Sequence, residues 1–79
     1  MIITVKLIAT YRDLLPKGTQ GNTLQVEAAE GCKATDLLLE FGVPLDNSSV
    51  ILVNGHTVEE DQVLWGGDVI HAFPALAGG

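Results

Sequence analysis

Along the first ten residues, "MIITVKLIAT", Ile3, Val5 and Leu7 alternate with Thr4 and Lys6. A period of two sends successive side chains to opposite faces of a pleated strand, so residues 2 to 9 are predicted to form a strand with one buried face. Leu24 and Val26 repeat the alternation in "TLQVEA", and the Pro, Gly and Asn of the intervening "YRDLLPKGTQGN" supply turn chemistry, which predicts a hairpin with a long loop. The period then changes. In "CKATDLLLEFG" the apolar positions Ala34, Leu37, Leu38 and Phe41 recur at three- and four-residue spacing, and Gly42 and Pro44 stop the resulting short amphipathic helix. Neither Cys32 nor Lys33 is a favoured helix cap, although Asp36 suits the positive end of the helix dipole. "SVILV" reads as a buried strand, Asn54-Gly55 as a type I′ hairpin turn, and "HTV" as the returning strand. "WGGD" forms another turn before the last strand, "VIHAF". Pro74 has no amide hydrogen to give to a ladder, so it ends that strand and begins an extended tail over residues 74 to 79.

Five strands and one helix in this order describe an α+β fold, a mixed sheet with a single crossover helix on one face. The other face is left open. On the first strand it carries Ile2, Thr4, Lys6 and Ile8; on the last, with Ile70 and Ala72 turned inward, it carries Val69, His71 and Phe73. Apolar side chains stand where polar ones are expected. Ile8, Phe73 and, on the returning strand, Val58 are therefore candidates for a partner-binding surface.

Composition fits one domain spanning residues 1–79, at 47% hydrophobic residues. With one cysteine, Cys32, an intramolecular disulfide is excluded, and a reducing, cytoplasmic location is the expectation. The longest apolar runs, such as "VILV", fall far short of the ~20 residues that cross a bilayer, and the amino terminus lacks the pattern of a signal peptide. Four basic residues against ten acidic ones give a formal net charge of -6, which repels nucleic acid and anionic membranes and favours partners with basic docking surfaces.

Most other chemistry-bearing residues have plain structural readings. Cys32 becomes a reactive thiol only if the helix N-terminus lowers its pKa; otherwise it is an incidental cysteine. His56 and His71 lack the companions of a metal site, so no metal is expected. Trp65, beside a Gly-Gly turn, reads as a core or lid residue more readily than as a binding platform. "EED" at 59 to 61 reads as a solvated turn. The tail is different. Idle tails are polar, whereas "AFPALAGG" holds no charged residue in its length and ends on Gly78 and Gly79.

"VNG" followed by "VLWGGDVIHAFPALAGG" resembles the ending of the ubiquitin-like β-grasp sulfur carriers, the family of the molybdopterin synthase small subunit and the thiamine sulfur carrier. "YRDLL", and "EG" with "DLL" and "FG" around the helix, resemble the family too, so the likeness covers nearly the whole chain; Pro74 in "FPALAGG" favours the molybdopterin branch. Lys33, where the family commonly has Thr, and Gly66-Gly67-Asp68, where it often has Asp-Gly-Asp, depart from the pattern without touching the tail. The resemblance implies a β-grasp fold. It also implies that the carboxylate of Gly79 is adenylated by an E1-like adenylating enzyme that uses ATP, and is then converted by a sulfur donor to a thiocarboxylate. No cofactor is bound tightly by the carrier itself. In the molybdopterin branch the large subunit of molybdopterin synthase accepts the tail and passes the sulfur to a cyclic pyranopterin monophosphate. Gly78 and Gly79, lacking Cβ, suit a narrow channel. Pro74, Leu76 and Ala77 would line the approach, and Arg12 in "YRD" would face the partner. A carrier of this kind contributes a reactive group and is not catalytic alone. A thiamine or other thiolation carrier, a protein modifier, and a β-grasp binding module with an incidental Gly-Gly end remain the alternatives.

Overall fold

A computed structural model describes residues 1–58 and 61–75. Strands β1 (Ile2–Leu7), β2 (Thr23–Glu27), β3 (Ser49–Val53), β4 (His56–Thr57) and β5 (Val69–Pro74) form one sheet in the order β2-β1-β5-β3-β4, and helix α1 (Ala34–Phe41) crosses one face. β1 and β5 pair in parallel at the centre, and the other neighbours are antiparallel. This is the mixed sheet and single helix of the β-grasp.

The alternation in the sequence sets the two faces. Ile3, Val5 and Leu7 of β1 and Ile70 and Ala72 of β5 are fully buried, packed with Ala34, Leu37 and Leu38 of α1 and with Val43, Val53 and Leu64. Phe41 packs partly buried at the edge of this cluster. Burying a large aliphatic side chain contributes about 1.5–3 kcal/mol, so this layer supplies most of the drive to fold.

Several local features follow from single residues. Asn54 and Gly55 both have positive φ, 52° and 85°, the backbone signature of a type I′ turn. Gly42 closes α1 in the left-handed conformation at φ 87°, its N–H donating to the Leu38 and Leu39 carbonyls. At the other end Lys33 provides no side-chain cap. A backbone bridge replaces it: the Ala34 N–H donates to the Gln62 carbonyl (3.0 Å) and the Leu64 N–H to the Cys32 carbonyl (2.8 Å).

Two boundaries depart from the expectation. β1 stops at Leu7 rather than residue 9, because Ala9 turns left-handed (φ 57°) and opens a 3-10 helix over Ala9–Leu14. β5 continues through Pro74, which pairs with Ser49 as the strand's last residue. A terminal strand position needs no donated hydrogen bond from the proline, so strand and tail meet one residue later than expected.

Candidate functional site

The candidate site is the uncovered face of the sheet and the end of β5 that leads out of it. The register places Phe73 opposite Val50 and His71 opposite Leu52, with Val69 beside Thr4 and Lys6 beside His71. Beyond β1 the same face continues into Thr23, Gln25 and Glu27 of β2. The open face is therefore divided. Its β5–β3 half is apolar, built from Val50, Leu52, Val69 and Phe73, with Ile8 just past β1; its β2 half is polar. Ile8 is half-buried, and its N–H donates to the Ala72 carbonyl at 3.0 Å, which holds it beside the exit of β5.

The exit itself is braced. The Ser48 carbonyl accepts the Ala75 N–H at 2.8 Å and the Tyr11 hydroxyl at 3.3 Å, and that hydroxyl also meets Ser49 Oγ. Ser48 is fixed in turn by Asp46, whose Oδ1 accepts its N–H (2.8 Å) and its hydroxyl. These bonds, the hydroxyl's first, hold the Asp46 carboxyl below its ordinary pKa. Tyr11, Asp46 and Ser48 thus set the direction in which the chain leaves the sheet. None of the three stands out in the sequence, since the Asp-x-Ser pattern that builds this turn is common in loops.

At the opposite end of β5 the two glycine turns are locked together. Asp68 receives the Asn54 side-chain amide on Oδ1 (2.9 Å) and the Trp65 N–H on Oδ2 (2.8 Å), while Asn54 Oδ1 accepts the Val69 N–H (2.9 Å). Gly67, at φ 91°, gives the 65–68 turn the positive φ it requires at its third position.

Of the predicted partner-binding residues, Ile8 and Phe73 share the apolar half of the face, and Pro74 ends β5. Arg12 lies exposed on the 3-10 helix, apart from that face, on the rim of a polar recess of about 210 Å³. Val58 does not belong to the open face. Its N–H bonds to Ile51, and its side chain packs on the helix side against the core, lining a recess of about 280 Å³ with Leu45 and Ile51. The tight Asn54-Gly55 turn sets Thr57 opposite Leu52, and this puts Val58 one step over to the other face. Trp65 is not a core residue: it is 74% exposed, on the rim of an apolar recess of about 360 Å³ with Met1 and Val63. Leu76, Ala77, Gly78 and Gly79 lie outside the described residues, as do Glu59 and Glu60.

Cys32 is partly buried, and its thiol pKa is raised by burial and by the charges of Asp36 and Glu40. It is therefore no activated nucleophile. Among the described residues no group of three His, Cys, Asp or Glu side chains could hold a metal ion, and no helix is long and apolar enough to cross a membrane.

Among known proteins of solved structure, a putative molybdopterin converting factor subunit 1 from Pyrococcus furiosus is 29% identical, with a TM-score of 0.75 over 95% of this chain and 98% of that one. SAMP1 from Haloferax volcanii has a TM-score of 0.77 at 22% identity, covering 100% of both chains. A complex of subunits 1 and 2 of the molybdopterin-converting factor from Helicobacter pylori matches at 0.60 and 21%, again covering 100% of both chains. At these lower identities the likeness to the last two is one of fold. No curated protein matches the chain. The sequence model of the Mut7-C ubiquitin family matches residues 1–78. A central parallel β1–β5 pair, one helix across one face and a match that runs almost from end to end together place the chain in the Mut7-C ubiquitin family, on the ubiquitin-like β-grasp fold.

Proposed function

We propose that the chain is a sulfur carrier whose terminal glycine is activated and thiocarboxylated, and that it serves as the small subunit of a molybdopterin synthase in making the molybdenum or tungsten cofactor. The observation that carries this reading is the end-to-end likeness to the Pyrococcus furiosus subunit 1, in a fold whose central strand leads past an apolar face into the uncharged residues 75–79.

The chemistry demands little of the carrier beyond its end. A carboxylate is a poor electrophile. An E1-like adenylating enzyme couples the Gly79 carboxylate to the α-phosphate of ATP and expels pyrophosphate; a sulfur donor then displaces AMP to leave the thiocarboxylate. The large subunit binds the apolar half of the open face and takes the tail to the pterin, and the reaction runs in the cytoplasm. Bracing at Ser48 supports this division of labour, because a fixed origin limits where a short tail can deliver its last atom.

The test is incubation with the adenylating enzyme, ATP and a sulfur donor, followed by intact-mass analysis and peptide mapping. The expected outcome is one sulfur-for-oxygen exchange confined to the C-terminal peptide. Removal of Gly79 is expected to abolish loading while docking to the large subunit persists. Sulfur carried on Cys32, or no exchange at all, overturns the reading. Attachment of the loaded chain to lysine residues, or transfer to a thiazole precursor or a transfer RNA, would instead establish a modifier or another thiolation pathway.

A further inference from the structure

In a chain with ten acidic and four basic residues, the apolar half of the open face holds, among the described residues, one formal charge, and that charge is positive. Lys6 of β1 lies in register beside His71 of β5, with Leu52 on the far side of His71 and Val69 and Phe73 two residues away along the strand. Among the described residues the face carries a single carboxylate, Glu27, which sits across from Ile2 at the other end of β1. The Lys6 ammonium has no ion pair or hydrogen bond among the described residues, whereas Lys33 reaches Asp61 at 3.5 Å and the amino terminus reaches Glu27 at 4.0 Å. His71 Nδ1 is buried without a hydrogen-bond partner.

The two groups differ in what they lack: the Lys6 ammonium has no counter-charge, and the unpartnered Nδ1 fixes the tautomer of His71. A buried orphan N–H is rarer and costlier than an under-used acceptor, so hydrogen bonding assigns Nδ1 as the bare ring nitrogen and Nε2 as the N–H. Covering the face would strip water from the Lys6 ammonium, at a cost that only a counter-charge offsets. Lys6 and Nε2–H are two donors from paired residues of adjacent strands, and two neighbouring donors suit the two oxygens of one carboxylate.

We propose that Lys6 and His71 together receive an Asp or Glu side chain that the large subunit presents within its apolar docking surface. This rests on the reading of the chain as a small subunit. The contact pins the register of the sheet face against the partner, and through it the line along which β5 delivers the tail. A partner surface without that carboxylate would strand the Lys6 charge, so the pair also selects the correct large subunit over apolar surfaces of similar shape.

The experiment measures binding of the purified large subunit from the same genome to the wild-type chain and to Lys6→Met, Lys6→Glu and His71→Phe, with melting curves alongside. Lys6→Met is expected to weaken binding about 10-fold and Lys6→Glu about 30-fold or more, with His71→Phe in between. Each Asp and Glu of the large subunit's contact surface is then changed to Lys, and one of these changes is expected to restore Lys6→Glu to within about threefold of wild type. Lys6→Met retains the aliphatic stem and carries the test if Lys6→Glu loses its fold. Lys6→Met binding as tightly as wild type, or no rescuing position, overturns the inference and leaves the small-subunit reading intact. Failure of the wild-type chain to bind the large subunit overturns both.

Discussion

Two residues of one strand, a single step apart, live in different physical worlds. Ala72 of β5 is fully buried beneath α1, while Phe73 faces away from the helix with Val50 as its cross-strand neighbour. The contrast holds for the whole sheet: one face is closed by a cluster of buried apolar side chains, and on the other an apolar half meets nothing in the described chain. The closed face needs its apolar residues for stability, but the open one does not. Apolar surface kept where stability does not require it is a mark of use, and the two faces can be separated by mutation.

The largest expected effect falls on the closed face. Leu38→Ala removes a fully buried side chain from α1 and is expected to cost about 2–5 kcal/mol, lowering the melting temperature by some 10 °C or more. Calorimetry or a thermal melt followed by circular dichroism reads it directly. Next comes the open face. Phe73→Asp or Ile8→Asp is expected to weaken partner binding by about 2 kcal/mol while shifting stability by about 1 kcal/mol or less. If both variants unfold, the distinction between the faces fails; if both bind normally, the apolar half is not the docking surface.

A third variant tests whether the turns at the base of β5 belong to the stability side. Asn54→Ala loses the bonds to Asp68 and to the Val69 N–H, and it places alanine at a left-handed position. The expected cost is about 1–2 kcal/mol, read in denaturant melts, with no change in partner affinity. The smallest effect lies at the other end of the strand. Asp46 is ionised when it accepts both Ser48 bonds, and its folded-state pKa is lowered. Its contribution is therefore present above the ordinary carboxylate pKa and is lost as the pH falls through the lowered one. Ser48→Ala removes the hydroxyl bond and keeps the backbone one, so it is expected to raise the Asp46 pKa toward the ordinary range in an NMR titration, with little change in global stability.

What the sequence reveals, and what it hides, divides along the same physical line. The alternation of Ile3, Val5 and Leu7 gave the parity of β1, and Asn54-Gly55 gave the hairpin turn, because each depends on residues adjacent in the chain. Val58 was read on the wrong face, because its side depends on a register set through a turn. The 3-10 helix was read as loop, since six residues with three-residue spacing and no buried member leave no hydrophobic trace. Trp65, beside its Gly-Gly turn, was read as core or lid, whereas the Asp68 bond to its backbone fixes the turn and leaves the ring exposed. The Ser48 brace joins residues separated by as many as 38 positions and has no local signal at all. As for the proposed tail chemistry, its glycines are plain in the sequence, while the face beside them took shape only once β1 and β5 were paired.

That pairing has a consequence for how the molecule comes into being. β5 fills the middle of the sheet although it follows the other four described strands in the chain, so until it emerges from the ribosome only β1 with β2 and β3 with β4 can pair, with a strand-wide gap between them. Each hairpin exposes an unpaired inner edge until residues 69–74 arrive, and a two-stranded hairpin alone is only marginally stable in water. Folding therefore waits for β5 and closes in one late step across long sequence separations. Residues 75 to 79 leave the ribosome directly behind the strand that completes the sheet. An enzyme that recognises the assembled face before acting on those residues would thereby pass over chains whose synthesis had stopped before β5.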